Sequence, residues 1–166
     1  VLLRVTGMMP PPPSASVSAT ATSTSRVEVA WEPVPEAVEY HLYRSGDAHV
    51  YTLIQRTTVP AATDESVMFY TSYIYTVRAV GYGGAVSDFS AIDISTTFTF
   101  LNPPEAGGPI LAEHLFGLRT VVAAVREVAS KPPATFTPAG SGGVIQAIHI
   151  TALREAPEDA LQSIRP

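Results

Sequence analysis

The stretch YIYTVRAV, Tyr73 to Val80, decides how the chain is read. Tyr73, Tyr75, Val77 and Ala79 fall at every second position, the period at which a strand sends side chains to one face. RVEVAWE (Arg26–Glu32) places Val27, Val29 and Trp31 on one face in the same way. VEYHLYR (Val38–Arg44) aligns Tyr40 with Leu42 ahead of a turn at Ser45-Gly46-Asp47. ASVSATA (Ala15–Ala21), VYTLI (Val50–Ile54) and SDFSAIDIS (Ser87–Ser95) add short alternating runs, and GYGG (Gly81–Gly84) reads as a turn. Short strands at this spacing predict an antiparallel β-sandwich over residues 14–101.

Taken together, these residues resemble a fibronectin type III domain. The resemblance rests on V-x-V-x-W at Val27, Val29 and Trp31, and on Y-x-L at Tyr40 and Leu42. It rests also on Thr63-Asp64, on Y-x-Y-x-V-x-A from Tyr73 to Ala79, and on S-x-x-S at Ser87 and Ser90. It covers residues 14–99, and it implies that Trp31 lies between the sheets and that Tyr73 forms a tyrosine corner. The loop ahead of the last strand reads GYGGAV, and RSGD (Arg44–Asp47) is not the Arg-Gly-Asp tripeptide, so integrin binding is not implied.

The composition narrows the function. Hydrophobic residues make up 46% of the 166, which favours buried cores over disorder. Charged residues make up only 15%, against roughly 25% in ordinary soluble domains. A net charge of −5 and a single lysine, Lys131, exclude the basic face that nucleic acid requires. The chain has no cysteine, so disulfides, thiolate metal sites and cysteine nucleophiles are excluded. The uncharged run between Arg4 and Arg26 is broken by prolines and crowded with Ser and Thr, so no membrane insertion is expected. A start at Val1 fits a mature form after signal removal, or a fragment. The expected location is extracellular or on the cell surface, in a bacterium.

Beyond the loop NPPEAGGP (Asn102–Pro109), residues 102–166 change character. ILAEHLFGLR (Ile110–Arg119) and IQAIHITALR (Ile145–Arg154) share I-x-A-x-H-[LI]-x-x-L-R at an offset of 35 residues. Leu111, Leu115, Leu118, Val122 and Val125 form a 4-3-4-3 apolar stripe in the first copy. Pro157 is expected to kink or end the second helix. The zone predicts a small α-helical hairpin packed through His114, Leu115, Leu118, His149, Ile150 and Leu153. It resembles paired H-[IL]-x-x-L-R segments near the ends of exported bacterial multi-domain proteins, a likeness that implies no activity.

Candidate chemistry is sparse. His114 and His149 hold matching places in the repeat; with Glu113 or Glu155 they would ligate zinc, or each imidazole bonds a carbonyl and fixes packing. No third ligand has the spacing for a metal, so no metal or cofactor is expected. Arg119 and Arg154 suit carbonyls or a carboxylate. GSGGV (Gly140–Val144) lacks the lysine and spacing of a phosphate loop and reads as a connector. No nucleophile elbow or paired carboxylates appear, so no enzyme is expected. Tyr43, Tyr51, Tyr70 and Tyr82 would either stack on glycans or cover strand surfaces. The Ser/Thr run Ser14–Ser25 would carry O-linked sugar or serve as an ordinary strand.

Two β segments exceed what the sandwich needs. VLLRVTG (Val1–Gly7), with Leu2 on its other face, forms an arm on the proline stalk Pro10–Pro13, residues 1–13 in all. STTFTFL (Ser95–Leu101) prolongs the last strand and carries Phe98 and Phe100. Open uncharged edges of this kind promote strand addition. An arm that buries Val1, Leu3 and Val5 on a sheet edge either folds back as an extra strand of its own domain or reaches a neighbour in a head-to-tail contact, the favoured reading, with Val1, Leu2, Leu3, Val5, Phe98, Phe100 and Leu101 as the expected interface residues. Two functions are expected. One is a self-assembling extracellular fibre held by strand donation, with the chain as its own partner. The other is an accessory carbohydrate-binding or spacer module of a larger secreted enzyme or adhesin.

Overall fold

The computed structural model describes residues 9–14, 16–137 and 145–164. Seven strands form two antiparallel sheets. β1 (Val17–Ser23), β2 (Arg26–Trp31) and β5 (Ala61–Asp64) make one, in the order β1-β2-β5. β3 (Ala37–Ser45), β4 (Thr52–Thr57), β6 (Ser72–Gly81) and β7 (Asp93–Thr96) make the other, in the order β4-β3-β6-β7. Two helices follow, α1 (Ala112–Val128) and α2 (Ala147–Ile164).

The alternation in β2, β3 and β6 builds the core. Val27, Val29, Trp31, Tyr40, Leu42, Tyr73, Tyr75, Val77 and Ala79 all lie in one buried cluster. Trp31 meets Tyr40 edge-on at 5.5 Å, the favoured arrangement for aromatic quadrupoles. The Tyr73 hydroxyl accepts the Met68 N–H at 3.1 Å, tying the start of β6 to the loop before it. Asp64 is buried beneath this corner. It accepts from Arg44 Nη1 at 2.8 Å and from the Tyr75 hydroxyl at 3.0 Å. Burial pushes the Asp64 carboxyl up, but the donors from Ser66 and Arg44 outweigh it and hold the group below the usual carboxylate range. Burial, reinforced by Asp64, raises the Tyr75 phenol well above its ordinary value.

The last strand differs from the expected run. Residues 85–92 are not strand apart from one bridge, Val80 to Val86, and β7 is only Asp93–Thr96. Ser87 and Ser90 take the place of a strand there: their hydroxyls accept the N–H groups of Ala79 at 2.8 Å and Val77 at 2.9 Å. Side-chain oxygens thus satisfy β6 where a neighbouring strand would otherwise do so. The β1 edge is not open along its length either, because Asp93 Oδ2 accepts the outward Ala19 N–H at 2.7 Å.

The helical pair sits at one end of the sandwich. α1 packs on the outer face of β6 and β7, where Ile74 is fully buried outside the inter-sheet cluster. After α1 the chain returns beside it: Pro132 O accepts from Arg126 Nε and Thr137 O from Arg119 Nη2. α2 then lies against α1 with contacts advancing in the same sense along both. Arg126 reaches the Ala156 carbonyl and Asp159, and Ala129 to Lys131 share a hollow with Ser163 and Ile164. This sense of packing changes the expected contact set. His114, Leu115 and His149 are buried and Leu153 is half-buried, but Leu118 and Ile150 are exposed. A helix that follows its neighbour in the same sense does not lay its own copy of the stripe against the other.

The stalk lies at the opposite end. Pro11 is buried against Gly81, where an added Cβ would stand 3.2 Å from the proline ring, and Met9, Glu36 and Tyr82 complete a small hollow. The Ser14 hydroxyl bonds Glu32 O at 3.0 Å, clipping the stalk to β2. The arm residues Val1, Leu2, Leu3 and Val5 lie outside the described residues, as does GSGGV.

Candidate assembly groove at the helical pole

Phe98, Phe100 and Leu101 are carried there by the chain leaving β7. Thr97 still pairs with the segment before β6, donating to Thr71 O at 3.0 Å and accepting from Tyr70 N–H at 2.8 Å. Tyr70 itself holds φ 57°, a left-handed conformation that costs about 1–2 kcal/mol in a non-glycine residue. Beyond Thr97 the chain leaves the sheet and lays both phenylalanines on α1. They meet it at Gly117, where a Cβ would stand 2.9 Å from Phe98 Cζ and 3.1 Å from Phe100 Cε1. Only glycine allows that approach without displacing the rings.

The result is a continuous aromatic row. Phe69 stacks on Tyr70 at 3.7 Å, Tyr70 lies 5.8 Å from Phe98, Phe98 4.8 Å from Phe100, and Phe100 5.8 Å from His114. Beside it runs a groove of about 460 Å³, bounded by Tyr70, Phe98, Phe100 and Leu101 on one side and Phe116 and Thr120 of α1 on the other. Its rim is unusually apolar for a surface: Phe116 is 72% exposed and Leu101 94%. Among the described residues lining the groove the one carboxylate is Glu113, which accepts from the Asn102 amide at 2.9 Å.

Both histidines of the repeat act as helix caps. His114 Nδ1 accepts the Leu111 N–H at 3.1 Å and its Nε2 donates to Asn102 O at 2.8 Å. This pattern requires the neutral ring with its proton on Nε2. His149 Nδ1 accepts the Gln146 N–H at 3.0 Å, the same bond one repeat later. Each imidazole thus satisfies an N–H at the start of its own helix, as the third-position residue of a capping box does. Among the described residues no three His, Cys, Asp or Glu side chains gather as a metal site.

The four tyrosines considered for glycans occupy three separate places. Tyr43 and Tyr51 lean on Phe89 at 5.1 and 5.8 Å, with Arg78 over that ring. Tyr70 belongs to the groove, and Tyr82 stands exposed beside the stalk. Sequence reading missed Gly117, Phe116 and Asn102. A signal for Asn102 existed: Asn102-Pro103 and Thr137-Pro138 stand 35 residues apart, so the repeat begins earlier than the helices.

No protein-family model matches the chain, and no curated protein matches it. Among solved structures, the sixth fibronectin type III domain of human fibronectin type III domain containing protein 3 superposes with a TM-score of 0.50. It shares 19% identity and matches 60% of this chain and 97% of its own. The sandwich has the fibronectin type III fold. An Fn3-like protein from Clostridium thermocellum is similar too, at 28% identity and a TM-score of 0.49, over 55% of this chain and 98% of its own. Fibronectin type III domains are generally non-catalytic structural or spacer modules.

Proposed function

We propose that this chain is a non-enzymatic structural module of an extracellular or cell-surface assembly, in which residues 1–7 of one copy seat in the aromatic groove of the next. The observation that carries the reading is polarity. The stalk meets the sandwich at Gly81 and Glu36, whereas the groove opens beside Tyr70 and Phe98, at the other end of β6. The ten residues of β6 span roughly 30 Å, so the groove lies about that far from the point where the stalk meets the sandwich. An arm leaving at one pole faces the groove pole of a neighbour, whose groove is the natural acceptor. Val1, Leu3 and Val5 match the apolar lining, and Arg4 matches Glu113. Burying the four aliphatic side chains of Val1, Leu2, Leu3 and Val5 contributes about 6–12 kcal/mol gross, much of it offset by ordering the arm. Donor and acceptor at opposite poles make an open, head-to-tail contact.

The same polarity favours a second reading, a spacer within a larger secreted enzyme or adhesin. α2 ends with Ile164 beside Ala48 and His49, at the pole away from the stalk, so the module holds its two ends apart. Sedimentation and electron microscopy of the intact chain, and of one lacking residues 1–8, separate the two. Assembly is expected from the intact chain alone and should be lost again in Phe116→Asp. Monomers from every sample would sink the assembly and leave the spacer.

A further inference from the structure

Two arginines of the sandwich are in ion pairs, Arg26 with Glu28 and Glu65, and Arg44 with Asp64. The other two, Arg56 and Arg78, have no carboxylate partner among the described residues, and they stand on one face. β3 turns Tyr40 and Leu42 into the core, so His41 and Tyr43 point outward. In register, His41 lies opposite Arg56 of β4 on one side and Arg78 of β6 on the other. The three side chains form one row across three strands. Like charges directly opposite one another do nothing for a sheet. What the row supplies is a positive surface, in a chain whose net charge is −5. Glu39, the acid beside the row, meets His41 Nε2 at 2.6 Å rather than either arginine. Asp88, exposed in the loop after β6, makes no ion pair among the described residues. Arg78 donates its Nε to Ser87 O at 2.7 Å, and Arg56 is exposed with no hydrogen-bond partner among the described residues.

Aromatic rings adjoin the row. Tyr43 meets Phe89 edge-on at 5.1 Å, Tyr51 lies 5.8 Å from Phe89 at an interplanar angle of 37°, and the Arg78 guanidinium stands 5.0 Å from the centre of the Phe89 ring. Phe89 is 46% exposed. We propose that this face binds an acidic polysaccharide, a polymer of hexuronate units. A uronate unit joins the two chemistries that lie side by side here: an apolar C–H face for Tyr51 and Phe89, and a carboxylate for Arg78. Arg56 lies two strands from Arg78, about 10 Å away, so a second carboxylate along the same polymer meets it. An acidic peptide would answer the arginines, but its Asp and Glu side chains bring no flat apolar face to the rings. None of these residues lines the aromatic groove, so the site stands whether or not the chain assembles.

The test is a titration of the full chain with a galacturonate hexamer, followed by amide chemical shifts, with maltohexaose as the neutral sugar and hexaglutamate as the acidic peptide. Saturable shifts at His41, Arg56 and Phe89 are expected with the uronate, weakening as salt is added, and none with maltohexaose. Arg56→Gln removes no contact that the fold uses and should weaken binding about threefold to tenfold, through loss of one charge-assisted hydrogen bond at an exposed site. Tyr51→Ala should weaken it about threefold, through loss of ring contact. Absence of saturable binding, equal binding of maltohexaose, or affinity unchanged in both variants would each overturn the site. Hexaglutamate bound as tightly as the uronate would overturn the sugar and leave a site for acidic peptides.

Discussion

The sandwich and the helical pole use their side chains in opposite ways. In the sandwich, polar groups turn inward to finish the structure: Asp64 under Arg44 and Tyr75, Ser87 and Ser90 on β6, Asp93 on the outward N–H of β1. At the helical pole, apolar groups turn outward: Leu101, Phe116, Ile148 and Ile150. The sandwich exposes large apolar side chains too, among them Val50, Val59, Met68 and Phe89, but at the helical pole Leu101 and Phe116 stand together on one groove.

The largest effect expected is inside the sandwich. Asp64→Ala leaves Arg44 without its buried partner and should cost about 3–5 kcal/mol in urea unfolding. The pH dependence has a definite sign. Asp64 ionises at lower pH in the folded chain than in the unfolded one, so its contribution is complete above about pH 4 and is lost as pH falls through the folded value. Stability of Asp64→Asn should therefore fall less steeply on acidification, and an acid limb as steep as the parent's would show that the network around Asp64 is not what the acid limb reports.

A smaller effect is expected where the two regions join. Gly117→Leu forces Phe98 and Phe100 off α1 and should cost about 1–3 kcal/mol by overpacking. Hydrogen exchange should locate the loss: amides of α1 quicken while those of β3 and β6 hold. Equal loss in β6 would mean that helix and sandwich unfold together. The smallest change tests the repeat. His114→Ala and His149→Ala each remove an acceptor from one helix start and should cost roughly 1 kcal/mol apiece, as cap losses do. His114→Ala should cost the more, because its ring also holds Asn102 O.

Legibility divided along the same line. The alternation in Arg26–Trp31 and Tyr73–Ala79 pointed to the face between the sheets, but not to the burial of the other face of β6, where Ile74 and Thr76 are covered as well. Ser87 and Ser90 were visible as a motif, yet their role was not, because a hydroxyl standing in for a strand carbonyl looks no different from any surface serine. The histidines were visible as a repeat and open between packing and metal; in the structure each imidazole bonds the N–H of the residue three before it. Gly117 carried no signal at all. Its importance comes from Phe98 and Phe100, which lie a full loop earlier in the chain.

By itself, then, the sequence determined what depends on neighbours a few residues away: strand faces, turns, the start of each helix, and the 35-residue repeat. Tertiary structure alone decided the rest: that Leu118 and Ile150 face outward, that the stalk is clipped to Gly81, and that the aromatic row opens at the opposite pole. Periodicity specifies which face of an element is apolar. Which of those faces finds a partner depends on the direction in which the elements are laid against each other, and that is a property of the whole chain.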